Sequence, residues 1–302
     1  DINIPLHLST QANTVNTESV RFWDQQGLER IILARELSQS EIKEINKKTR
    51  IALEIFVHGS MCISYSGRCM LSNYMVNRDP NRGKCAHSCR WKYYLVEEKR
   101  PNEYYPVIEG DDSTHIMNSK DLCLIENIPE IIDTGVASLK IEGRMKGIHY
   151  VATVTDIYRK ALDSYFMDPQ NYKFQSDWLR ELKKISHRGY TTGFFLGSPG
   201  SEDHNYESSA YSRTYDFMGI VRDYNQDSQE AVVEVREKFF KGDMVEIISP
   251  DCKSVVANVS YIINEEGKRV EEAPHPKELI KIPVKQPVKP YDILRRKIND
   301  RG

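Results

Sequence analysis

Cys62, Cys69, Cys85 and Cys89 stand at C-x6-C-x15-C-x3-C in a stretch rich in glycine, serine and asparagine; Cys123 follows, and Cys252 lies far away. Thiols in such numbers serve a disulfide framework, a zinc site or an iron–sulfur cluster. Disulfide staples belong mostly to small secreted scaffolds, and a chain of 302 residues is long enough for a sizeable core and two domains without them. Zinc sites favour short two-cysteine hooks, often joined by histidine. Only Cys85 and Cys89 fit such a hook, with His58 and His87 available for a mixed site. A [4Fe–4S] cluster needs four converging sulfurs but no fixed spacing, which suits thiols drawn from separated loop positions. Spacing alone leaves zinc and iron–sulfur both open.

A second set of residues could move protons or hold charge. Strand side chains alternate between faces. In "SLKIEGR", Leu139 and Ile141 share one face, whereas Ser138, Lys140 and Glu142 share the other, with Arg144 just beyond. In "ALEIFVHG", Leu53, Ile55 and Val57 alternate with Glu54, Phe56 and His58, and in "LHLSTQAN" His7, Ser9 and Gln11 oppose Leu6, Leu8 and Thr10. Strands buried on both faces should be continuously apolar. Charge pointing into a barrel must therefore pair internally or serve a ligand. A structural Lys140–Glu142 ion-pair network is the plain alternative to catalysis. Position near strand ends, where α/β barrels place their active sites, favours function for Lys140, Glu142, Arg144, Glu54 and His58.

These residues need a frame, and the sequence supplies two regimes. Over 1–205, short apolar strands such as "IPLHLST", "RIILARE", "IALEIFVHG" and "VASLKIEG" alternate with helical stretches, the βα pattern of a parallel sheet. Ser38 and Ser40 are plausible N-caps, and Gly27 closes the first helix. Over 206–302, helical periodicity gives way to short alternating strands parted by turns, which predicts a small antiparallel barrel. No apolar run approaches a membrane span and no signal peptide opens the chain, so a cytoplasmic, soluble, globular protein is expected. The formal net charge of −2 offers no general attraction for nucleic acid, so any RNA contact needs a local patch. The closing run with Lys281, Lys285, Lys289, Arg295, Arg296 and Lys297 is one candidate, with Tyr215, Tyr224 and Tyr261 to stack on bases. A charge run is otherwise a solvated tail.

The segment "EIFVHGSMCISYSGRCMLS" resembles the signature of the peptidase U32 family. "KCAHSCRWKY", "MNSKDLC", "SLKIEGRMKGIHYVATVTDIYRKALD" and "HRGYTTGFFLG" follow in that family's order, ahead of a small β domain. The resemblance spans nearly the whole chain. It implies a TIM-like (β/α) barrel followed by a small all-β barrel domain. An eight-stranded barrel takes about 250 residues, more than precede Tyr211, and family members open with further βα units. The barrel is therefore expected to be incomplete at its N-terminus.

The family was first labelled as collagenase-like peptidases, whereas its better understood members are iron–sulfur proteins that hydroxylate without oxygen. The segments are most similar to the tRNA-hydroxylating branch, which implies formation of 5-hydroxyuridine at the wobble position of tRNA with prephenate as co-substrate. It also implies Cys62, Cys69, Cys85 and Cys123 as cluster ligands, with Cys89 spare and Cys252 an ordinary thiol. Prephenate is a dicarboxylate, so arginines able to grip carboxylates are wanted. Arg35, Arg90, Arg144 and Arg188 are candidates, with Gln11 a further substrate-binding residue. A related U32 partner subunit is a possible associate. Two other readings stay open: a U32 peptidase using a cysteine beside His58 or His87, and a non-catalytic RNA-binding subunit.

Overall fold

A computed structural model describes residues 4–62, 64–91, 93–106, 119–203, 211–250 and 252–298. The chain divides into two compact units, one of residues 1–147, 157–180 and 187–212, the other of residues 148–156, 181–186 and 213–302.

The first unit is built on βα repeats. Strand β1 (His7–Leu8) is followed by helix α1 (Thr17–Gln25), β2 (Arg30–Ile32), α2 (Gln39–Lys48) and β3 (Ala52–Ser60). Asn16 caps α1 by accepting from the Ser19 amide, and the Ser38 side chain and Glu41 form a capping box on α2. Both helices are amphipathic: Val20 of α1 and Ile42 and Ile45 of α2 are buried. Strand β3 is covered on both faces, because Leu53, Ile55 and Val57 are buried, and so are Glu54, Phe56 and His58.

After β3 come α3 (Leu71–Val76), an antiparallel hairpin of β4 (Tyr94–Glu97) and β5 (Arg100–Pro106), then β6 (Asp121–Cys123), α4 (Ile128–Asp133) and β7 (Ser138–Ile141). Strands β1, β2, β3 and β7 run parallel, each hydrogen-bonded to the next in chain order. Strand β6 joins β3 antiparallel through His58↔Cys123 and Ser60↔Asp121, and β8 (Tyr190–Thr191) pairs parallel with β6. The expected βα units are present. Among the described residues the sheet has six strands, of which β6 and β8 run opposite to the other four, so an all-parallel closed barrel is not what these strands form. Helices α5 (Ile148–Met167) and α6 (Ser176–Leu182) complete the helical part. No helix among the described residues is long and apolar enough to cross a membrane.

The second unit is all-β apart from its helical pieces. Its strands are β9 (Tyr215–Asn225), β10 (Glu230–Val235), β11 (Phe239–Phe240), β12 (Met244–Ser249), β13 (Cys252–Asn258), β14 (Ile262–Ile263), β15 (Arg269–Val270), β16 (Glu272–Ala273), β17 (Leu279–Pro283) and β18 (Ile293–Lys297). Eight pair in the order β13-β12-β18-β9-β10-β17-β14-β15, and β11 pairs β16. Strand β10 alternates as expected, with Ala231, Val233 and Val235 inside and joined there by Val245, Ile247, Ile280, Ile282 and Leu294.

The closing basic run is not a solvated tail. Arg295 is 0% exposed on β18, with Nη2 2.6 Å from Glu181 and Nε 3.0 Å from Glu246. Burial opposes the charge on Arg295, but the hydrogen bond to Glu246 and the charge of Glu181 outweigh it and raise its pKa. Arg296 lies 2.6 Å from Asp243. The tyrosines are occupied too. Tyr215 lies under Arg295 and Lys184, Tyr224 donates to the Val284 carbonyl and Tyr261 to Glu230. Two of the six cations and all three rings expected to meet RNA are thus committed to this unit's own structure. Lys281, Lys285, Lys289 and Lys297 are exposed. The side chain of Cys252 lies outside the described residues.

Candidate functional site

Parallel strands that share a direction deliver their carboxyl ends to one side of the sheet, and in the first unit those ends open on a cavity of about 430 Å³. The turn after β1 contributes Gln11, the loop after β2 contributes Arg35, and β3 contributes Phe56 and Ser60. The end of β7 and the residues after it contribute Lys140, Glu142 and Arg144, and the segment after β3 closes over them with its cysteines. Gly59 makes the close approach of β3 and β7 possible. Its φ is +118°, the Glu142 amide donates to the His58 carbonyl at 2.8 Å, and a Cβ on Gly59 would lie 2.5 Å from the Glu142 carbonyl oxygen.

Two charge clusters organise the wall. Glu54 accepts from Arg30 at 3.2 Å and lies 3.1 Å from Lys140 Nζ. Burial raises its pKa, but hydrogen bonds from Ser138, Lys140 and Arg30 and the charge of Lys140 prevail and hold it below the ordinary carboxylate value. Arg35 forms the second cluster. Its guanidinium covers the Phe56 ring at 3.9 Å, with one nitrogen 3.7 Å from Glu142 and another 3.7 Å from the Cys62 sulfur. Glu142 also accepts from the Arg144 amide at 2.9 Å. The Arg144 guanidinium lies against Gly83, where φ is +70° and a Cβ would collide with Nη1. The cavity is thus lined by the guanidinium groups of Arg35, Arg82 and Arg144, the Lys140 ammonium and the Glu142 carboxylate, of which Lys140, Glu142 and Arg144 are the residues read from "SLKIEGR".

The structure brings Gln11, Arg35, Lys140, Glu142, Arg144, Cys62, Cys69 and Cys85 to one cavity, together with Cys89. Gln11 donates its side-chain amide to the Pro80 carbonyl at 3.2 Å, so it ties the cysteine segment to β1. Five candidates, Glu54, His58, Arg188, Arg90 and Cys123, sit elsewhere or are not described. Glu54 lies behind the wall and acts on it through Lys140. His58 is buried between Tyr158 and Tyr190, with ring centroids 5.6 Å and 5.4 Å away. Burial, then the charges of Lys146 and His187, lowers its pKa to about 3. The physical reason for its departure is the register shift between Phe56 and His58 in the β3–β7 ladder, which breaks strict alternation, so Phe56 rather than His58 faces the cavity. Arg188 is 1% exposed and lies 3.7 Å from Asp121, with Tyr211 as a further partner; it does not itself line the cavity but donates at 3.5 Å to Ser60, which does. The side chain of Arg90 lies outside the described residues.

Sequence reasoning missed Phe56 as the platform for Arg35, and Tyr65 and Arg82 as lining residues. The available signal was position: Tyr65 and Arg82 lie among cysteines that the same cavity gathers.

The donor chemistry suits a thiolate-ligated metal group in kind. Cys62, Cys69, Cys85 and Cys89 are thiols on one cavity, with the Arg35 guanidinium 3.7 Å from the Cys62 sulfur. Cys123 is a buried thiol on β6, opposite His58 in register and interacting with Tyr158. Among the described residues no group of three or more His, Cys, Asp or Glu side chains is already gathered as a metal site.

Consecutive βα units whose strand ends open on a cysteine-lined cavity, followed in sequence by a small all-β domain, define an α/β protein of two parts. Family models match both: peptidase family U32 over residues 1–205 and the peptidase family U32 C-terminal domain over residues 213–295. The chain belongs to peptidase family U32. It is 44% identical to tRNA hydroxylation protein P1 of Bacillus subtilis over 97% of this chain and 69% of that protein. It is 36% identical to tRNA hydroxylation protein P of Escherichia coli, over 97% of this chain and 73% of that one. It is also 32% identical to a protein named collagenase from Porphyromonas gingivalis, over 98% of this chain and 72% of that protein.

Proposed function

We propose that this chain hydroxylates tRNA, forming 5-hydroxyuridine at the wobble position with prephenate as co-substrate and a [4Fe–4S] centre held by Cys62, Cys69, Cys85 and Cys123. The observation that carries the reading is the joint lining of one cavity by thiols and by Arg35, Lys140, Glu142 and Arg144, in a chain 44% identical to a tRNA hydroxylation protein. Bound there, the cluster supplies one-electron redox chemistry. Arg35 and Arg144 grip the carboxylates of the co-substrate, with Gln11 at the edge of the cavity. Lys140, oriented by Glu54, and Glu142, held by Arg35, are placed to accept the proton that leaves C5 of the base when the hydroxyl takes its place.

The test is anaerobic purification with iron and sulfide counts, combined with mass spectrometry of tRNA from a strain lacking this modification and supplied with the chain. Restored 5-hydroxyuridine-derived nucleoside that disappears with Glu142→Gln supports the reading; a colourless chain that restores nothing rejects it. The match to the protein named collagenase favours proteolysis as the second reading. Cleavage of gelatin by the purified chain, abolished by substituting Cys85 or His87, would establish it instead.

A further inference from the structure

We infer that the cysteine segment is also the RNA-docking surface of this protein, and that it takes single-stranded, unpaired nucleotides at the cavity rim. The inference rests on the hydroxylation reading and deepens it by assigning the surface that holds the substrate.

Charge is the first observation. Between Cys62 and Lys92 the sequence carries six basic residues, Arg68, Arg78, Arg82, Lys84, Arg90 and Lys92, against one acidic residue, Asp79, in a chain whose formal net charge is −2. Arg68, Arg78, Arg82 and Lys84 are exposed. Asp79 uses its carboxylate locally, capping the turn at Pro80–Arg82, and lies 3.9 Å from Arg82. Concentrated positive charge on a chain that is negative elsewhere is the footprint of a phosphate-binding surface.

Exposed rings are the second. Tyr74 on α3 is 89% exposed, Tyr65 67% and Trp91 45%. A fold that needed these rings for its core would bury them, and unpaired bases stack on such platforms. Tyr65 and Arg82 line the cavity itself, so the basic, aromatic surface continues into the site that holds Lys140 and Glu142. The segment is cross-braced rather than a loose arm. Asn81 donates to the Cys69 carbonyl at 3.0 Å, the Ala86 amide to Ser72 at 2.9 Å, and the Tyr93 hydroxyl to the Ser88 carbonyl at 2.6 Å. Phosphates on Arg78, Arg82 and Lys84 and bases on Tyr65 and Tyr74 would hold one nucleotide over the opening. Exposed Arg and Lys of this kind position a strand and do not read its sequence.

Fluorescence anisotropy of labelled, unmodified tRNA with the 302-residue chain, measured across a salt series, tests the inference. Arg78→Ala/Arg82→Ala/Lys84→Ala should weaken binding by roughly tenfold or more and lower the salt slope by about 2, at about 0.7 per single-strand phosphate contact. Arg78→Lys/Arg82→Lys/Lys84→Arg should keep both, and Tyr74→Ala should weaken binding without changing the slope. Lys281→Ala/Lys285→Ala/Lys297→Ala in the second unit should bind like the parent. Parental affinity and slope for the first triple variant, or loss confined to the second-unit variant, would overturn the inference. So would adsorption to phosphatidylserine vesicles without measurable RNA binding. Failure of the hydroxylation reading looks different: tRNA binding falls in the first triple variant as expected, yet the parent restores no modified nucleoside.

Discussion

Arg35 and Glu142, from the loop after β2 and the end of β7, meet 3.7 Å apart over the Phe56 ring, and the same guanidinium reaches the Cys62 sulfur. One side chain thereby couples the carboxylate, the aromatic platform and the first thiol of the cavity. Its side chain is only 9% exposed, so its position is fixed by these partners and not by solvent. Arg35→Ala should cost roughly a hundredfold in tRNA hydroxylation. Arg35→Lys should recover little, because an ammonium cannot stack and bridge at once. Nucleoside mass spectrometry reads the activity, and an unchanged melting curve shows that the loss is local.

Glu54 joins Arg30 to Lys140 from behind the cavity wall. Its folded pKa is depressed, so its contribution to stability is present above the unfolded value and is lost as pH falls through the folded value, on the acid side of the ordinary carboxylate range. Glu54→Gln should cost about 2 kcal/mol at neutral pH, less than a fully buried pair because Lys140 is partly exposed. The variant should also lose less stability than the parent as pH drops from 5 to 3, at about one proton or less in the slope. Urea denaturation at a series of pH values measures both.

Much of this site was legible in the sequence because strand alternation is a local rule. Lys140 lies on the polar face of "SLKIEGR", and Glu142 and Arg144 follow at the strand's end, where the cavity opens. His58 was not legible, since a register shift inside β3 depends on which strand pairs beside it, and that is a tertiary fact. Arg188 and Arg295 read as available cations, yet each meets a carboxylate remote in sequence, Asp121 and Glu246 respectively. The βα order up to β3 was readable from caps and periodicity. The antiparallel entry of β6 was not, because a three-residue strand carries too little pattern to reveal its direction.

Gly83 tests the geometry of Arg144 without touching its charge. A methyl group at Gly83 would collide with the guanidinium, and the left-handed backbone at φ +70° resists any side chain. Gly83→Ala should displace Arg144 and raise the KM for prephenate more than it lowers kcat, if Arg144 grips the co-substrate. Arg144→Ala should give the same pattern, and the double variant should add little, which a double-mutant cycle would register as coupling.

His149 gives the second unit its own acid sensitivity. Burial first, then the charge of Arg295, holds its pKa down at about 4 despite the opposing pull of Glu181 and Glu246. The folded imidazole therefore stays neutral while the unfolded one takes up a proton near 6.5. Stability should be unaffected above that value and should fall as pH drops from about 6.5 to 4, by roughly 3 kcal/mol in total. His149→Phe, which can keep the stack on Phe217, should flatten the stability profile across that window. A profile as steep as the parent's would mean that another group takes up the proton.

The fourth cluster ligand separates what the resemblance implies from what the cavity gathers. Cys62, Cys69 and Cys85 belong to both sets. Cys89 lines the cavity with them, whereas Cys123 is held on β6 opposite His58. Cysteines on loops can converge on iron when it arrives, because binding free energy can be used to order the site. A strand residue supplies a ligand at lower ordering cost, since its backbone is already fixed. That ordering argument agrees with the ligand set implied by the resemblance, and the proposal therefore expects Cys123 as the fourth ligand and Cys89 as the spare. After anaerobic reconstitution, Cys62→Ala, Cys69→Ala, Cys85→Ala and Cys123→Ala should each lose most of the iron, sulfide and visible absorbance, while Cys89→Ala and Cys252→Ala keep them. Iron loss in Cys89→Ala with full iron in Cys123→Ala would move the fourth ligand to the cavity thiol. In that case Cys123 would be a packing residue beside Tyr158, and its replacement by serine or alanine would alter stability and leave the cofactor intact.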